Sequence, residues 1–253
     1  MAAVSALDLR DVSAELGGRR VLDDVTLSVE PGQRVAICGP NGAGKTSLLK
    51  AALGLLRSSG QVRLGGDPLD RLSHADRAAR AAYLPQDRRV AWNMRALEIA
   101  ALGAPLASRP EGLARAAMAL ARLGVADLAE RGVAELSGGE RARVLMARFL
   151  VARAPLMLAD EPAAGLDPDA QLLALEVLDE EARAGAAVVA TLHDLTLAAR
   201  WADRVVVIDG GRIVGDAAPA TALSAQTLAS AFGLDAHWID TPDGPLLSAR
   251  RRA

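Results

Sequence analysis

The sequence predicts an α/β fold: a mostly parallel sheet covered by helices, with an antiparallel β portion before it and a helical insertion within it. Three observations predict this. The first is Gly39-Pro40-Asn41-Gly42-Ala43-Gly44-Lys45-Thr46-Ser47, which fits the phosphate-binding pattern G-x-x-x-x-G-K-[ST] at every fixed position. An apolar run at 35–38 precedes it, and a helical pattern of Leu48, Leu49, Ala52, Leu53 and Leu56 follows. The second is the return of short apolar runs at 156–159, 187–190 and 205–208, alternating with helical patterns, as strands buried on both faces of a parallel sheet require. The third is a pattern that is helical throughout 93–128, broken by Pro105 and Pro110 and punctuated by Gly124.

Taken in order, the first forty residues read as strands. Candidates lie at 7–13 and 27–29, with turns at Gly17-Gly18 and Pro31-Gly32. A short buried strand at 35–38 feeds the phosphate loop. Gly60 and Gly65-Gly66 bracket another strand at 61–64. Residues 76–82, rich in alanine and arginine, read as helix, stopped at Pro85. The segment 93–128 reads as an inserted helical subdomain, and a second helix of it begins at Ser137. The tail is helical from about 217 to Phe232. A hairpin then closes through 238–240 and a Pro242-Asp243-Gly244 turn, and Arg250-Arg251-Arg252 reads as a frayed, solvated end. No internal repeat is visible.

Composition narrows the function. The 253 residues are 51% hydrophobic but only 2% aromatic, so the core is aliphatic and alanine-rich. A net charge of −2 supplies no basic field, so no nucleic-acid partner is expected. Lys45 and Lys50 are the only lysines in an arginine-dominated chain, which singles out Lys45. Cys38 is the only cysteine, so an internal disulfide and a cysteine-cluster metal site are excluded. Its apolar neighbours predict an inert strand residue. The opening residues lack a basic region followed by an apolar one, so no secretory signal is expected. No apolar run approaches the roughly 18–20 residues of a membrane span, so a soluble chain working through a membrane partner is expected.

The loop glycines let backbone N–H groups turn inward, and with the positive end of the following helix they form an anion site. Lys45 would reach the outer phosphates and the Thr46 hydroxyl would ligate Mg2+. Asp160-Glu161 follow one apolar run and His193 follows another, so three polar clusters share the carboxyl edge of one sheet, where ligands bind in doubly wound folds. Asp160 would hold Mg2+ through water, Glu161 could polarise an attacking water, and His193 could hold the γ-phosphate or fix the water and Glu161. Such positioning is most of what phosphoryl transfer asks of a protein. Alone, Asp-Glu before Pro162 reads more readily as a helix entry and a lone histidine as structural; their joint occurrence with the phosphate loop favours chemistry. In Leu136-Ser137-Gly138-Gly139-Glu140, Ser137 and Glu140 form a capping box. Two glycines at that helix start make either an exposed anion site or a capped end with no ligand.

Assembled in order, these residues resemble the nucleotide-binding subunit of ATP-binding cassette (ABC) transporters, over nearly the whole chain. The order is the phosphate loop, a Q-loop at Gln86, the signature stretch Leu136-Ser137-Gly138-Gly139-Glu140, Asp160-Glu161, a D-loop Gly165-Leu166-Asp167-Pro168 and a switch histidine at His193. The resemblance implies a P-loop NTPase (RecA-like) core over about 1–86 and 154–232, a helical signature subdomain over 87–153 and a tail over 233–253. It implies ATP and Mg2+, with Thr46, Gln86 and Asp160 around the metal and Glu161 as general base, so that the enzyme is an ATPase coupled to transport. Two copies would close head to tail, with Ser137, Gly138 and Gly139 of one gripping the γ-phosphate held by Lys45 of the other, and Asp167 crossing between them. Membrane permease subunits, a substrate-binding protein acting through them, and a peripheral place on the cytoplasmic face of the membrane are implied as well.

A closer resemblance is to importer subunits for iron–siderophore, haem and cobalamin chelates. It rests on the stretch from Tyr83 to Trp92, on His193-Asp194-Leu195-Thr196-Leu197-Ala198-Ala199-Arg200 and on Ala202-Asp203-Arg204. Trp92 reads either as core or as a docking residue. Three positions depart from the pattern: Leu16 where an aromatic often stacks on adenine, Ala163 where Thr or Ser is usual, and Asn93 where proline is common. An ABC exporter subunit and a soluble ABC protein acting on ribosomes or DNA are the alternatives. The single cassette and the absence of a basic patch argue against the latter.

Overall fold

The computed structural model describes residues 4–90 and 93–252. The readings on the first three residues and on Trp92 lie outside them. The antiparallel portion begins with β1 (Leu7–Leu16) and β2 (Arg19–Val29), paired across the Gly17-Gly18 turn. Both are longer than the 7–13 and 27–29 expected, because polar residues on their outer faces mask the alternation. Next come β3 (Arg34–Cys38), α1 (Lys45–Ala52), β4 (Ser58–Leu64), β5 (Asp67–Pro68), α2 (His74–Arg80) and β6 (Ala81–Leu84). Three helices follow, α3 (Ala96–Ala101), α4 (Arg109–Arg122) and α5 (Gly138–Val151). The chain then alternates through β7 (Leu156–Asp160), α6 (Pro168–Arg183), β8 (Ala187–Thr191), α7 (Leu195–Trp201) and β9 (Arg204–Asp209). It ends with β10 (Arg212–Ala217), α8 (Pro219–Ala222), α9 (Ala225–Phe232), β11 (Leu234–Thr241) and β12 (Gly244–Arg251).

The main sheet has six strands in the order β10-β9-β3-β8-β7-β6, parallel except for β10, and a four-stranded antiparallel sheet runs β2-β1-β4-β5. The expected α/β class, with its N-terminal antiparallel portion and helical insertion, is what forms. Strand alternation divides the main sheet between two cores. Ala36, Cys38, Met157, Ala159, Val188, Ala190, Val205 and Val207 face the helices α3 to α7. Val35, Ile37, Leu156, Leu158, Ala187, Val189, Val206 and Ile208 face α1 and the antiparallel sheet. Both faces are apolar, so the strands read as unbroken apolar runs. No helix among the described residues is long and apolar enough to cross a membrane.

Three local expectations fail for physical reasons. The helix expected over 76–82 ends at Arg80, and 81–84 is strand: Ala81 to Leu84 pair with Leu156 to Ala159, burying Ala82 and Leu84. Tertiary pairing there overrides the helical propensity of an alanine- and arginine-rich segment. Strand β10 went unread because it is an edge strand with no buried residue: Arg212, Val214 and Asp216 are exposed, and only Ile213 and Val214 are apolar neighbours in sequence. The arginines at the end are not a frayed tail, since Arg250 and Arg251 belong to β12 and Arg250 pairs with Asp235 at 2.6 Å.

Arg34, at the start of β3, ties the main sheet to the elements beside it. Its guanidinium donates to Asp203 at 2.6 and 3.1 Å and to Asp179 at 2.5 Å. The Arg34 bonds, opposed by burial, hold the Asp203 carboxyl below the ordinary aspartate range. A carboxyl lowered in the folded state contributes stability above its unfolded pKa and loses it as pH falls through the folded value. Asp203→Asn should therefore lower the unfolding free energy at pH 7 by about 1 kcal/mol, the scale of a partly exposed ion pair. Denaturant titration should find this difference shrinking as pH drops below about 4.

Candidate functional site

The site begins where β3 delivers the chain to the phosphate loop. Gly39 has φ +155°, and a Cβ there would lie 2.1 Å from the Ile208 carbonyl oxygen. Gly44 has φ +113°, and its Cβ would lie 2.6 Å from the Val21 carbonyl oxygen. Only glycine lets the loop lie this close to β2 and β9. Helix α1 starts at Lys45 with no side-chain cap and no acidic residue in its first turn. Its first N–H groups and the positive end of its dipole are therefore left to a ligand. Lys45 is buried, and its ammonium donates to the carbonyl oxygens of Gly39 at 2.7 Å and Pro40 at 3.0 Å. Desolvation holds its pKa below the ordinary lysine value, opposed chiefly by the nearby Glu161. Cys38 lies just below, its thiol pushed up to about 12 by burial, which fits the expected inert strand residue.

At the end of β7, Asp160 is 1% exposed. Its carboxylate accepts from the Thr191 hydroxyl at 2.8 Å and from the Tyr83 hydroxyl at 3.4 Å. Burial, with the Asp160 charge adding to it, raises the Tyr83 phenol well above its usual value, so it stays a donor. Glu161 follows in the left-handed region, φ +53°, and its N–H donates to the Thr191 hydroxyl oxygen at 2.8 Å. Its carboxylate meets His193 Nε2 at 2.5 Å. Arg88 Nη2 donates to the carbonyl oxygens of Glu161 and Pro162, each at 3.2 Å.

Lys45, Thr46, Gln86, Glu161 and His193 line one cavity of about 330 Å3, together with the rest of 41–47 and Val21. Asp160 lies beneath it, bonded to Thr191. A larger groove of about 580 Å3, lined by Arg57, Arg63, Arg71 and Arg77 among others, contains none of these groups.

Ser137, Gly138 and Gly139 lie outside the cavity. The capping box is present: the Ser137 N–H donates to the Glu140 carboxylate at 2.8 Å, and the Glu140 N–H donates to the Ser137 hydroxyl oxygen at 3.3 Å. The backbone bond from Ser137 is the main cause holding the Glu140 carboxyl below its usual value. A Cβ added at Gly138 or Gly139 would meet no described residue within 4 Å beyond the helix's own first turn. Asp167 is exposed and caps α6, accepting from the Ala170 N–H at 2.9 Å. Leu16, at the adenine-stacking position of the resemblance, is 60% exposed.

Two residues of the site went unread. Thr191 bonds both Asp160 and the Glu161 N–H, and its only trace in the sequence is one hydroxyl closing an apolar run. Arg88 was read only as part of a longer stretch.

Residues 22–164 match the family described as ABC transporter. The chain is 44% identical to the hemin import ATP-binding protein HmuV of Myxococcus xanthus, over 98% of each sequence. It is 43% identical to the cobalamin import ATP-binding protein BtuD of Halobacterium salinarum over 89% of this chain, which spans 58% of that relative. Among solved structures, it superposes on a dimeric, post-hydrolysis ATP-binding cassette bound to ADP and Pi with a TM-score of 0.76. Identity there is 25%, with 84% of this chain and 98% of that one covered.

Thr191→Val keeps the side-chain shape but removes the hydroxyl that serves both Asp160 and the Glu161 N–H. Leaving the Glu161 N–H without its acceptor and Asp160 with only the Tyr83 hydroxyl should cost about 1–3 kcal/mol of stability, read as a lowered denaturation midpoint. Thr191→Ser, which restores the hydroxyl, should recover most of it.

Proposed function

The chain belongs to the ABC transporter family, and we propose that it is the ATP-hydrolysing subunit of an importer for a metal chelate of the haem, cobalamin or iron–siderophore class. The observation that carries the mechanism is the convergence of Lys45, Thr46, Glu161 and His193 on one cavity, with the open Gly138-Gly139 helix start outside it. The cargo class comes from the relatives, named for hemin and cobalamin import.

In this reading the amides of 39–47 and the α1 N-terminus hold the ATP phosphates, and Lys45 neutralises the outer ones. A water attacks the γ-phosphorus in line and its proton passes to the Glu161 carboxylate. The bond to the β–γ bridging oxygen breaks, leaving ADP and phosphate. His193 holds the Glu161 carboxylate through their 2.5 Å contact. The Thr46 hydroxyl, the Gln86 amide oxygen and the Asp160 carboxylate are hard oxygen donors of the kind that suit Mg2+. Asp160, buried and bonded to Thr191 and Tyr83, would act on the ion through water, with substrate phosphates supplying further oxygens. When bound, Mg2+ supplies charge neutralisation at the phosphate oxygens.

A second copy completes the site. Its Ser137, Gly138 and Gly139 would meet the γ-phosphate, and Asp167 would reach across with the carboxylate oxygen that does not cap α6. Permease subunits would dock on the helical subdomain (87–153) and receive cargo from a substrate-binding protein. The chain would then sit peripherally on the cytoplasmic face of the membrane.

Glu161→Gln should lower hydrolysis by about 10²–10⁴-fold, the usual contribution of a general base. It should still form ATP-dependent dimers on size exclusion; unaltered turnover would contradict the role. Gly139→Asp, built into open space, should fold as the parent does yet lose both ATP-dependent dimerisation and turnover. Efficient hydrolysis by a demonstrably monomeric chain would defeat the two-copy site.

The importer reading has its own test. The co-purifying permease is reconstituted with this chain in proteoliposomes, and ATP-driven uptake of haem and of cobalamin is measured. Uptake of neither, nor of an iron–siderophore, would reject the cargo class without touching the ATPase.

A further inference from the structure

Arg88 lies two residues beyond Gln86, yet its guanidinium reaches the end of β7. Nη2 donates to the carbonyl oxygens of Glu161 and Pro162, both at 3.2 Å. Nη1 stands 4.0 Å from the position a Cβ would take at Gly165, so the side chain spans the whole turn that leads from Glu161 toward Asp167. The guanidinium is half-buried, and burial lowers its pKa, with the Glu161 charge acting the other way. A cation is held in such a place by carbonyl oxygens or carboxylates, and here it is held by the backbone of Glu161 itself.

That backbone needs holding. Glu161 has φ +53°, a left-handed conformation that costs a residue with a Cβ on the order of 1–2 kcal/mol. Its N–H is fixed by Thr191 at 2.8 Å, and its carbonyl accepts from the Ala164 N–H at 3.1 Å as well as from Arg88. Thr191 grips the peptide on one side and Arg88 on the other. With one grip released, φ would be less restrained from relaxing to the allowed negative region, which would carry the carboxylate away from His193.

We propose that Arg88 is a positioning residue for ATP hydrolysis: by gripping the Glu161 and Pro162 carbonyls it keeps the Glu161 carboxylate aimed at the cavity, and it links that aim to the segment carrying Gln86. The inference rests on the reading of Glu161 as general base. A displacement of 86–88 would be passed to Glu161 through the bond to its own carbonyl and the bond to that of Pro162.

The test uses the full chain with Arg88→Ala, Arg88→Lys, Glu161→Gln and the pair Arg88→Ala with Glu161→Gln. Arg88→Ala should lower kcat about tenfold with KM for ATP changed less than about twofold, since an interaction that orients the reacting group is lost and ATP binding is not. Arg88→Lys keeps a donor for one carbonyl and should recover part of the loss. In the Glu161→Gln background, Arg88→Ala should change the residual rate little, because the two act as one unit. Wild-type kcat for Arg88→Ala, a loss carried by KM, or a full tenfold loss in the Glu161→Gln background would each overturn the role of Arg88 while leaving Glu161 in place. Wild-type turnover by Glu161→Gln would overturn the general-base reading and this inference with it. Should Arg88→Ala fail to fold, Arg88→Lys decides alone: reduced kcat at constant KM supports the role, and unchanged kcat removes it.

Discussion

Strands β3, β8 and β7 lie side by side and parallel, with Ile37 opposite Thr191 and Thr191 opposite Asp160. Strands β8 and β7 end on this row and β3 one residue beyond it, and each leaves into a segment that lines the cavity. From β3 comes Gly39 and the phosphate loop, from β8 comes His193, and from β7 comes Glu161. The register is held by apolar residues on both faces. Slipping any one strand by a residue would turn its whole set of side chains to the opposite face. It would also part Thr191 from Asp160 and from the Glu161 N–H.

The same row explains how charged groups survive in an apolar sheet. Asp160 is almost fully buried, and it is satisfied by two hydroxyls that remain donors. Lys45 is buried against two backbone carbonyls. Each charge thus meets fixed dipoles and does not depend on water, which would have to reorganise as a reaction proceeds. Fixed dipoles of that kind stabilise developing charge in a transition state without reorganisation cost. The left-handed Glu161 is part of this arrangement. Its conformation is unfavourable in isolation and persists because Thr191, Ala164 and Arg88 bind the peptide on either side.

Most of this was legible in the sequence for a definite reason. The phosphate loop is constrained at fixed spacing by the backbone walls at Ile208 and Val21, so its glycines and lysine occur as a contiguous pattern. Buried parallel strands appear as apolar runs, so the sheet and its carboxyl edge could be placed. What escaped reading depends on partners distant in sequence. Segment 81–84 is a strand only because β7 lies beside it, and its own composition favours helix. Thr191 matters because Asp160 is its neighbour across strands. Arg88 matters because of two carbonyls more than seventy residues away. A single chain position carries no local trace of such a contact.

Glycines at two places in this chain serve opposite purposes, and the contrast bears on how the molecule works. At Gly39 a side chain is excluded by the chain's own backbone, which stands 2.1 Å from where it would begin. At Gly138 and Gly139 no described residue beyond the helix's own first turn would come within 4 Å of an added Cβ, so packing among the described residues gives no reason for glycine there. The Ser137–Glu140 box already stabilises the start of α5, and a cap of that kind does not need two glycines behind it. Bare backbone at a helix N-terminus lets something approach closely, and what suits that end of a helix is an anion. The cavity around Lys45 has its own helix end in α1 and does not include this one. On the proposed reading, the approaching group is the γ-phosphate carried by another copy. The uncapped α1 and the capped but bare α5 then become two halves of one anion site.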